Sequence, residues 1–263
     1  MRRFSPLAQR RIRAFAANRR ALTALVVFVA VFVLTLFAEL IANDRPLLLK
    51  YNGKLYFPVL AEYTEQEFGG DFPTPADYRD EFVRQNIEKS GWMIMPPVPF
   101  SFNTVDYDLT TPTPAPPSSR HWLGTDDEGR DILARILYGI RLSVVFAFLL
   151  TMVSSLIGVS AGAVQGYFGG RVDIFMQRFM EIWESLPQLF ILIIVASIFV
   201  PTFWSLLIIL MFFSWTSLTG MVRAEFLRAR NLEYVKAAKA LGVGNGRIIF
   251  RHILPNAVVT TVT

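Results

Sequence analysis

Apolar runs long enough to cross a bilayer alternate with polar stretches along this chain. A helical crossing needs about 20 predominantly apolar residues, each adding about 1.5 Å of rise. Residues 21–42 form the first such run, interrupted by Thr23, Thr35 and Glu39. Residues 142–164, 179–200 and 203–222 form three more. A fifth begins at Asn256, after Pro255, and eight residues, 256–263, are too few to span. The pattern predicts an all-α polytopic membrane protein with four full spans, its sequence expected to end inside a fifth.

The spans differ in detail. The first follows a basic segment, 1–20, with seven arginines; it is too long for the apolar core of a signal peptide and lacks a small-x-small cleavage site, so an uncleaved helix is expected. The second carries Ser154, Gly158, Gly162 and Gly166 at every fourth position, a ridge along which another helix backbone can approach. The third opens with Arg178, Glu181, Glu184 and Pro187. Arg178 and Glu181 are one turn apart and can pair, and the proline predicts a kink. Charged residues at membrane depth usually face protein or water, so these four are candidate gate residues, or structural ones at headgroup level.

Residues 43–120 are polar and aromatic, and a small extracytoplasmic α/β insert is expected there. Lys50-Tyr-Asn-Gly-Lys-Leu-Tyr-Phe57 reads as two strands around an Asn-Gly turn, and residues 77–90 as a short amphipathic helix. The stretch 110–119 is proline-rich and reads as a stiff, extended spacer. Residues 121–263 make up the remaining membrane domain, with a basic, helical-looking segment at 223–255.

Charge sets the expected topology, because Lys and Arg concentrate in cytoplasmic loops. Both the amino terminus and residues 223–251 are strongly basic, and four spans put them on one face. The amino terminus is therefore expected in the cytoplasm and the insert outside. The net charge of +5 is then a topological and lipid-facing signal, and no nucleic-acid partner is implied.

Several chemistries are excluded. Without cysteine there is no disulfide and no thiolate metal site, and two histidines, His121 and His252, far apart in sequence, make no metal centre. Gly242-Val-Gly-Asn-Gly246 lacks the Lys-Ser/Thr of a phosphate-binding loop, so any ATP and magnesium belong to another subunit and this chain has no cofactor of its own. Gly158-Val-Ser-Ala-Gly162 matches the nucleophile elbow of hydrolases. It leaves an intramembrane serine hydrolase as a remote alternative, although the elbow requires a strand-to-helix turn.

The most informative segment is 233–256, E-Y-V-K-A-A-K-A-L-G-V-G-N-G-R-I-I-F-R-H-I-L-P-N. It reads as a helix over 232–241, a glycine turn, and a second short helix closed by Pro255. It resembles the coupling loop of ABC importer permeases, with Ala237, Ala238, Gly242, Leu254 and Pro255 at matching positions and Glu233 at its start. Lys236 stands where that loop has glutamate, and His252 where it has isoleucine. The A-A-x-x-x-G core followed by H-x-L-P-N is similar to the oligopeptide, dipeptide and nickel branch. His121-Trp-Leu-Gly-Thr-Asp-Asp-Glu-Gly-Arg-Asp131, with Gly124, Asp126, Gly129, Arg130 and Asp131, resembles the periplasmic segment before the second helix of that branch's C-type permeases. The long outer insert, with Asn43-Asp-Arg-Pro-Leu-Leu48 and Gly69-Gly-Asp-Phe-Pro73, is similar to Yej-type permeases, linked to oligopeptide and microcin C uptake.

The resemblance implies a six-helix permease bundle in the bacterial inner membrane. It implies pairing with a homologous B-type permease, an ABC ATPase with two nucleotide-binding domains inside, and a periplasmic solute-binding protein outside. Import of nickel or another small solute by the same architecture is the nearer alternative.

Overall fold

The computed structural model describes residues 13–257. Arg2, Arg3, Arg10 and Arg11 of the basic segment, and most of the fifth apolar run, lie outside the described residues. The chain forms two compact units, Met1–Val144 and Val145–Thr263.

In the first unit, helix α1 (Arg19–Leu36) starts where Asn18 accepts the Ala21 N–H. It breaks at Phe37 and resumes for one turn, Ala38–Ile41. Three strands follow: β1 (Leu48–Tyr51), β2 (Lys54–Tyr56) and β3 (Gly91–Ile94), antiparallel in the order β2-β1-β3. The β1–β2 turn is Asn52-Gly53, with φ of 50° and 78°. Two left-handed residues match the twist of the flanking strands, and these residue types adopt that conformation readily. Helix α2 (Glu81–Ser90) begins after Asp80, whose carboxylate accepts the N–H groups of Phe82 and Val83. It starts later than the amphipathic pattern suggests, because Asp77 instead forms a local turn with the Arg79 N–H. Leu49, Phe68, Tyr78, Val83 and Ile87 close a core between sheet and helix.

The proline-rich stretch, expected as a stiff, extended spacer, is bonded to the loop that follows it. Ala115 donates its N–H to Thr125 Oγ1 and accepts from the Thr125 N–H, and Ser118 donates to the His121 carbonyl. A second cluster, Ala38, Ala42, Val98, Phe100, Ala134 and Leu137, joins the end of the first helix to the start of α3 (Ile132–Phe168). There Arg141 donates to both Glu39 oxygens at 2.8 and 3.0 Å, and the Tyr138 hydroxyl donates to the Ala42 carbonyl. Helix α3 therefore begins ten residues before its apolar run.

The second unit contains the rest of α3 with α4 (Gly170–Glu184), α5 (Gln188–Ile198), α6 (Phe203–Ala229) and α7 (Glu233–Ala240). The expected third span is two helices, α4 and α5, meeting at 56° around Ser185-Leu186-Pro187. Among the described residues, α1, α3 and α6 are each long and apolar enough to cross a membrane, and the bent pair raises the number to four if it counts as one span. Helix α6 runs to Ala229, so residues 223–229 extend a span and do not open the basic segment. The small-residue ridge of α3 meets α6 directly. A Cβ added at Gly158, Gly162 or Gly166 would lie 2.5, 2.6 or 2.5 Å from the carbonyl oxygens of Trp215, Thr219 and Arg223. Both series advance by four, so two helix backbones touch in register.

Candidate functional site: the basic segment and its supports

Helix α7 carries Glu233 in its first turn and Lys239 in its last, each at the end whose partial charge it complements. It ends at Gly242, whose φ of +75° suits a residue without Cβ. The Gly242 N–H bonds the Lys239 carbonyl and the Val243 N–H bonds the Ala238 carbonyl, both at 3.0 Å. This paired closure satisfies two carbonyls that the helix end would leave open. Lys236, at the glutamate position of the coupling loop, pairs with Glu233 at 3.0 Å.

One face of α7 is locked. Val235 and Ala238 are buried in a cluster with Tyr167, Phe226, Ala229 and Ile248, which belong to the ends of α3 and α6 and to the following turn. The Tyr167 hydroxyl donates to Asn245 Oδ1 at 2.7 Å, and Lys239 Nζ lies 4.7 Å from the Tyr167 ring centre. The other face is open. Tyr234, Ala237 and Leu241 follow one another at three- and four-residue spacing, and Leu241 is 83% exposed.

Beyond the glycine turn, Asn245–Arg247 is helical, Ile248–Ile253 is a π turn, and residues 254–257 are helical again. Pro255 therefore does not close this helix; it sits inside it. Proline lacks the N–H for the carbonyl four residues back and its ring crowds that carbonyl, and a widened turn just before it relieves both. Ile248, Ile249 and Ile253 are buried against the α7 cluster, while His252 and Leu254 are half-buried and Pro255 is exposed.

The candidate gate residues gather at the α4–α5 break. Arg178 Nη1 donates to Glu181 Oε2 at 2.6 Å, Glu184 is exposed at the end of α4, and Pro187 precedes α5. Trp183 anchors the break by donating to the Phe212 carbonyl of α6 at 2.8 Å. A two-pronged ion pair in this unit has no signature in the sequence. Asp173 takes Arg223 in a two-pronged bond, 2.5 and 2.7 Å, tying α4 to α6. An arginine that looks topological by composition is thus a packing element.

The motif 121–131 is a folded loop hub. Asp126 accepts the N–H groups of Glu128 and Arg130, the Arg130 side chain and Arg135. Burial raises its carboxyl, but the Arg130 bonds and the others outweigh it and hold it at about 2. Gly124 and Gly129 both have φ of +80°, and a Cβ at Gly124 would meet the Ala115 carbonyl at 2.5 Å. Asp131 caps α3 by accepting the Ala134 N–H at 2.8 Å. The residue missing from the candidate set is His121, fully buried and stacked on Phe100. Its Nδ1 lies 2.8 Å from Asp131 and its Nε2 3.1 Å from Asp106. Burial raises the Asp106 carboxyl, but the bonds from His121 and the Asp108 N–H and the nearby Arg120 and Arg79 leave it below its ordinary value. A lone histidine between aspartates ten and fifteen residues away had no readable spacing.

Gly158-Val-Ser-Ala-Gly162 lies wholly within α3, with Ser160 exposed in mid-helix. There is no strand-to-helix turn, so the elbow reading falls.

Long apolar helices, packed closely through glycine and carrying a rigidly seated short helix, mark a multi-pass membrane protein. The chain belongs to the family described as binding-protein-dependent transport system inner membrane component, whose pattern matches residues 154–263. It is 50% identical to the inner membrane ABC transporter permease protein YejE of Escherichia coli (strain K12), over 100% of this chain and 77% of that protein. It is 47% identical to the peptidoglycan transport system permease protein YejE of Agrobacterium fabrum, over 99% of this chain and 74% of that protein. Over 54% of this chain and 44% of the relative, it is 38% identical to the dipeptide transport system permease protein DppC of Bacillus subtilis.

Proposed function

We propose that this chain is the permease subunit through which an ATP-driven importer takes up oligopeptides or peptide-like compounds. One observation carries the mechanism: α7 is locked on one face to α3 and α6 and open on the other. A soluble ATPase that grips Tyr234, Ala237 and Leu241 would move two membrane helices with it. ATP and magnesium are bound and hydrolysed in that partner, which supplies two nucleotide-binding domains. The alternating-access path is completed by a homologous B-type permease, and a solute-binding protein delivers the substrate from outside. By the distribution of Lys and Arg, the amino terminus and α7 face the cytoplasm and the insert faces the periplasm.

Peptide is favoured over nickel because relatives named for dipeptide and oligopeptide transport align over 54% and 59% of this chain. The Agrobacterium relative is named for peptidoglycan, whose stem is itself a peptide, so peptidoglycan fragments form a second substrate class. Purification of the protein in mild detergent should recover an ABC ATPase and a second permease. Uptake of labelled oligopeptides and muropeptides into cells lacking the chain, with and without its restoration, then separates the substrates. Recovery of the chain with no ATPase, or restoration of neither uptake, would overturn the reading.

A further inference from the structure

The insert's sheet has two faces, and both are apolar. Leu49, Tyr56 and Met93 pair across the strands and turn toward the core of Phe68, Val83 and Ile87. The residues alternating with them point the other way. On that outer face Lys50 stands between Leu55 and Trp92, and Leu48 pairs with Ile94. Continuing the β1–β2 register by one residue puts Phe57 beside Leu48. Leu55, Phe57, Trp92 and Ile94 are 56, 46, 43 and 49% exposed. An antiparallel sheet with one packed face ordinarily carries polar residues on the other, and contiguous exposed apolar surface marks a contact.

The two rungs differ in place and chemistry. The chain reaches Leu48 from the turn Ala38–Ile41, and leaves Ile94 toward Val98, which bridges Ala42 at the end of that turn. Four residues from Ile94 to Val98 reach at most about 14 Å. The Phe57–Leu48–Ile94 rung is therefore the end of the sheet nearest the first span, and Leu55–Lys50–Trp92 lies one step beyond. The nearer rung is wholly apolar, and the next adds an indole and the face's one charge. That order matches a bilayer edge, where tryptophan gathers at headgroup level and a lysine stem crosses apolar surface to reach the phosphates. None of the six residues is a carboxylate, which suits an anionic surface better than the mixed charge of a typical polar protein rim.

We infer that the outer sheet face lies on the lipid headgroup layer beside the first span, with Phe57, Leu48 and Ile94 toward the acyl chains and Lys50 at the phosphates. The cysteine-free sequence makes the test direct. Single variants Ile94→Cys, Phe57→Cys and Glu88→Cys, the last on the exposed side of α2, are nitroxide-labelled in the purified complex. The complex is placed in phosphatidylethanolamine–phosphatidylglycerol nanodiscs. Oxygen should relax the labels at 94 and 57 more than a water-soluble nickel chelate does, and the label at 88 the reverse. Equal nickel access at all three would put the face in water and overturn the inference. Exclusion of both reagents at 94 and 57 would show that protein, a binding protein or second permease, covers it, and would also overturn it. These positions are exposed, so a thermal melt matching that of the unsubstituted protein verifies each variant's fold.

Discussion

The Tyr167 hydroxyl, at the end of a 37-residue membrane helix, donates to Asn245 Oδ1 in the turn that follows α7, 2.7 Å away. Lys239 lies over the same ring, so one side chain joins α3, α7 and the turn beyond it. Tyr167→Phe removes the hydroxyl and leaves the ring. A neutral hydrogen bond contributes about 1 kcal/mol. Amide exchange over residues 233–248 should then quicken by roughly fivefold, with the melting profile of the whole protein little changed. Exchange unaltered in that segment would show that the bond does not hold it.

The two faces of α7 should respond oppositely to one kind of substitution. Leu241→Asp puts a charge on a side chain that is already 83% exposed, so folding and membrane insertion should survive. Stimulation of ATP hydrolysis by substrate-loaded binding protein should fall at least tenfold, a loss of about 1.4 kcal/mol or more at a buried contact. Val235→Asp places an unpaired carboxylate where no surface is exposed. It should abolish folded expression, read as monodisperse protein on size exclusion. A Leu241→Asp protein with full ATPase stimulation would remove α7 as the contact.

Patterns carried by neighbouring residues were legible; those made by distant ones were not. The Asn-Gly hairpin, the glycine ridge and the proline kink each rest on a local rule, and the structure contains all three. Helix ends were harder. Helix α3 begins at Ile132 because Asp131 caps it, not where the apolar run begins, and α6 outruns its apolar stretch because Asp173 neutralises Arg223. Pro255 has the sequence character of a boundary, the close of one short helix and the first turn of the next, because proline usually marks one; the π turn that lets the helix run on through it has no sequence signature. Asp106, His121 and Asp131 meet only after the loops fold, so the histidine gave no sign of its partners.

Acid should loosen the 121–131 loop in a defined window. The Asp126 carboxyl lies at about 2 in the folded protein against an ordinary 3.8. A depressed carboxylate favours the folded state above 3.8, and that contribution disappears as pH falls from 3.8 toward 2. Asp106 is lowered as well and acts in the same direction. Protease resistance of the insert, followed from pH 5 downward, should decline through this window. Asp126→Asn should be less stable at pH 5 and show a shallower decline. Equal slopes for the two proteins would exclude Asp126 as a cause.

His121 is surrounded by groups that cannot be left alone. Replacing it with alanine strips a partner from two buried carboxylates and empties the stack on Phe100. Removing one member of a buried charged cluster costs about 3–5 kcal/mol. His121→Ala should therefore expose the insert to proteolysis at temperatures where the unsubstituted protein resists. His121→Ala with Asp131→Asn should recover part of the loss, because Asp106 keeps Arg79 and Arg120 beside it, whereas the substitution at Asp131 removes a buried charge that has lost its ionic partner and leaves an oxygen for the Ala134 N–H. A double variant no better than the single one would mean that packing on Phe100, not charge, is the dominant contribution.

Two glycines on α3 test whether the ridge is a backbone contact or an accident of composition. At Gly162 an added Cβ would lie 2.6 Å from the Thr219 carbonyl and 2.9 Å from the Val222 Cβ, and neither is the flexible end of a side chain. Gly162→Ala must push α6 outward, and the displaced surface includes Val222 and the cluster that seats α7. Overpacking of this kind costs about 1–3 kcal/mol, and transport should fall with stability. At Gly139, on the same helix, an added Cβ meets nothing within 4 Å. Gly139→Ala gains the helix preference of alanine, about 1 kcal/mol, so this variant should melt at or above the unsubstituted protein. Melting temperatures in one detergent, measured side by side, should move in opposite directions. A Gly162→Ala protein as stable as Gly139→Ala would mean that α3 and α6 do not touch along this ridge.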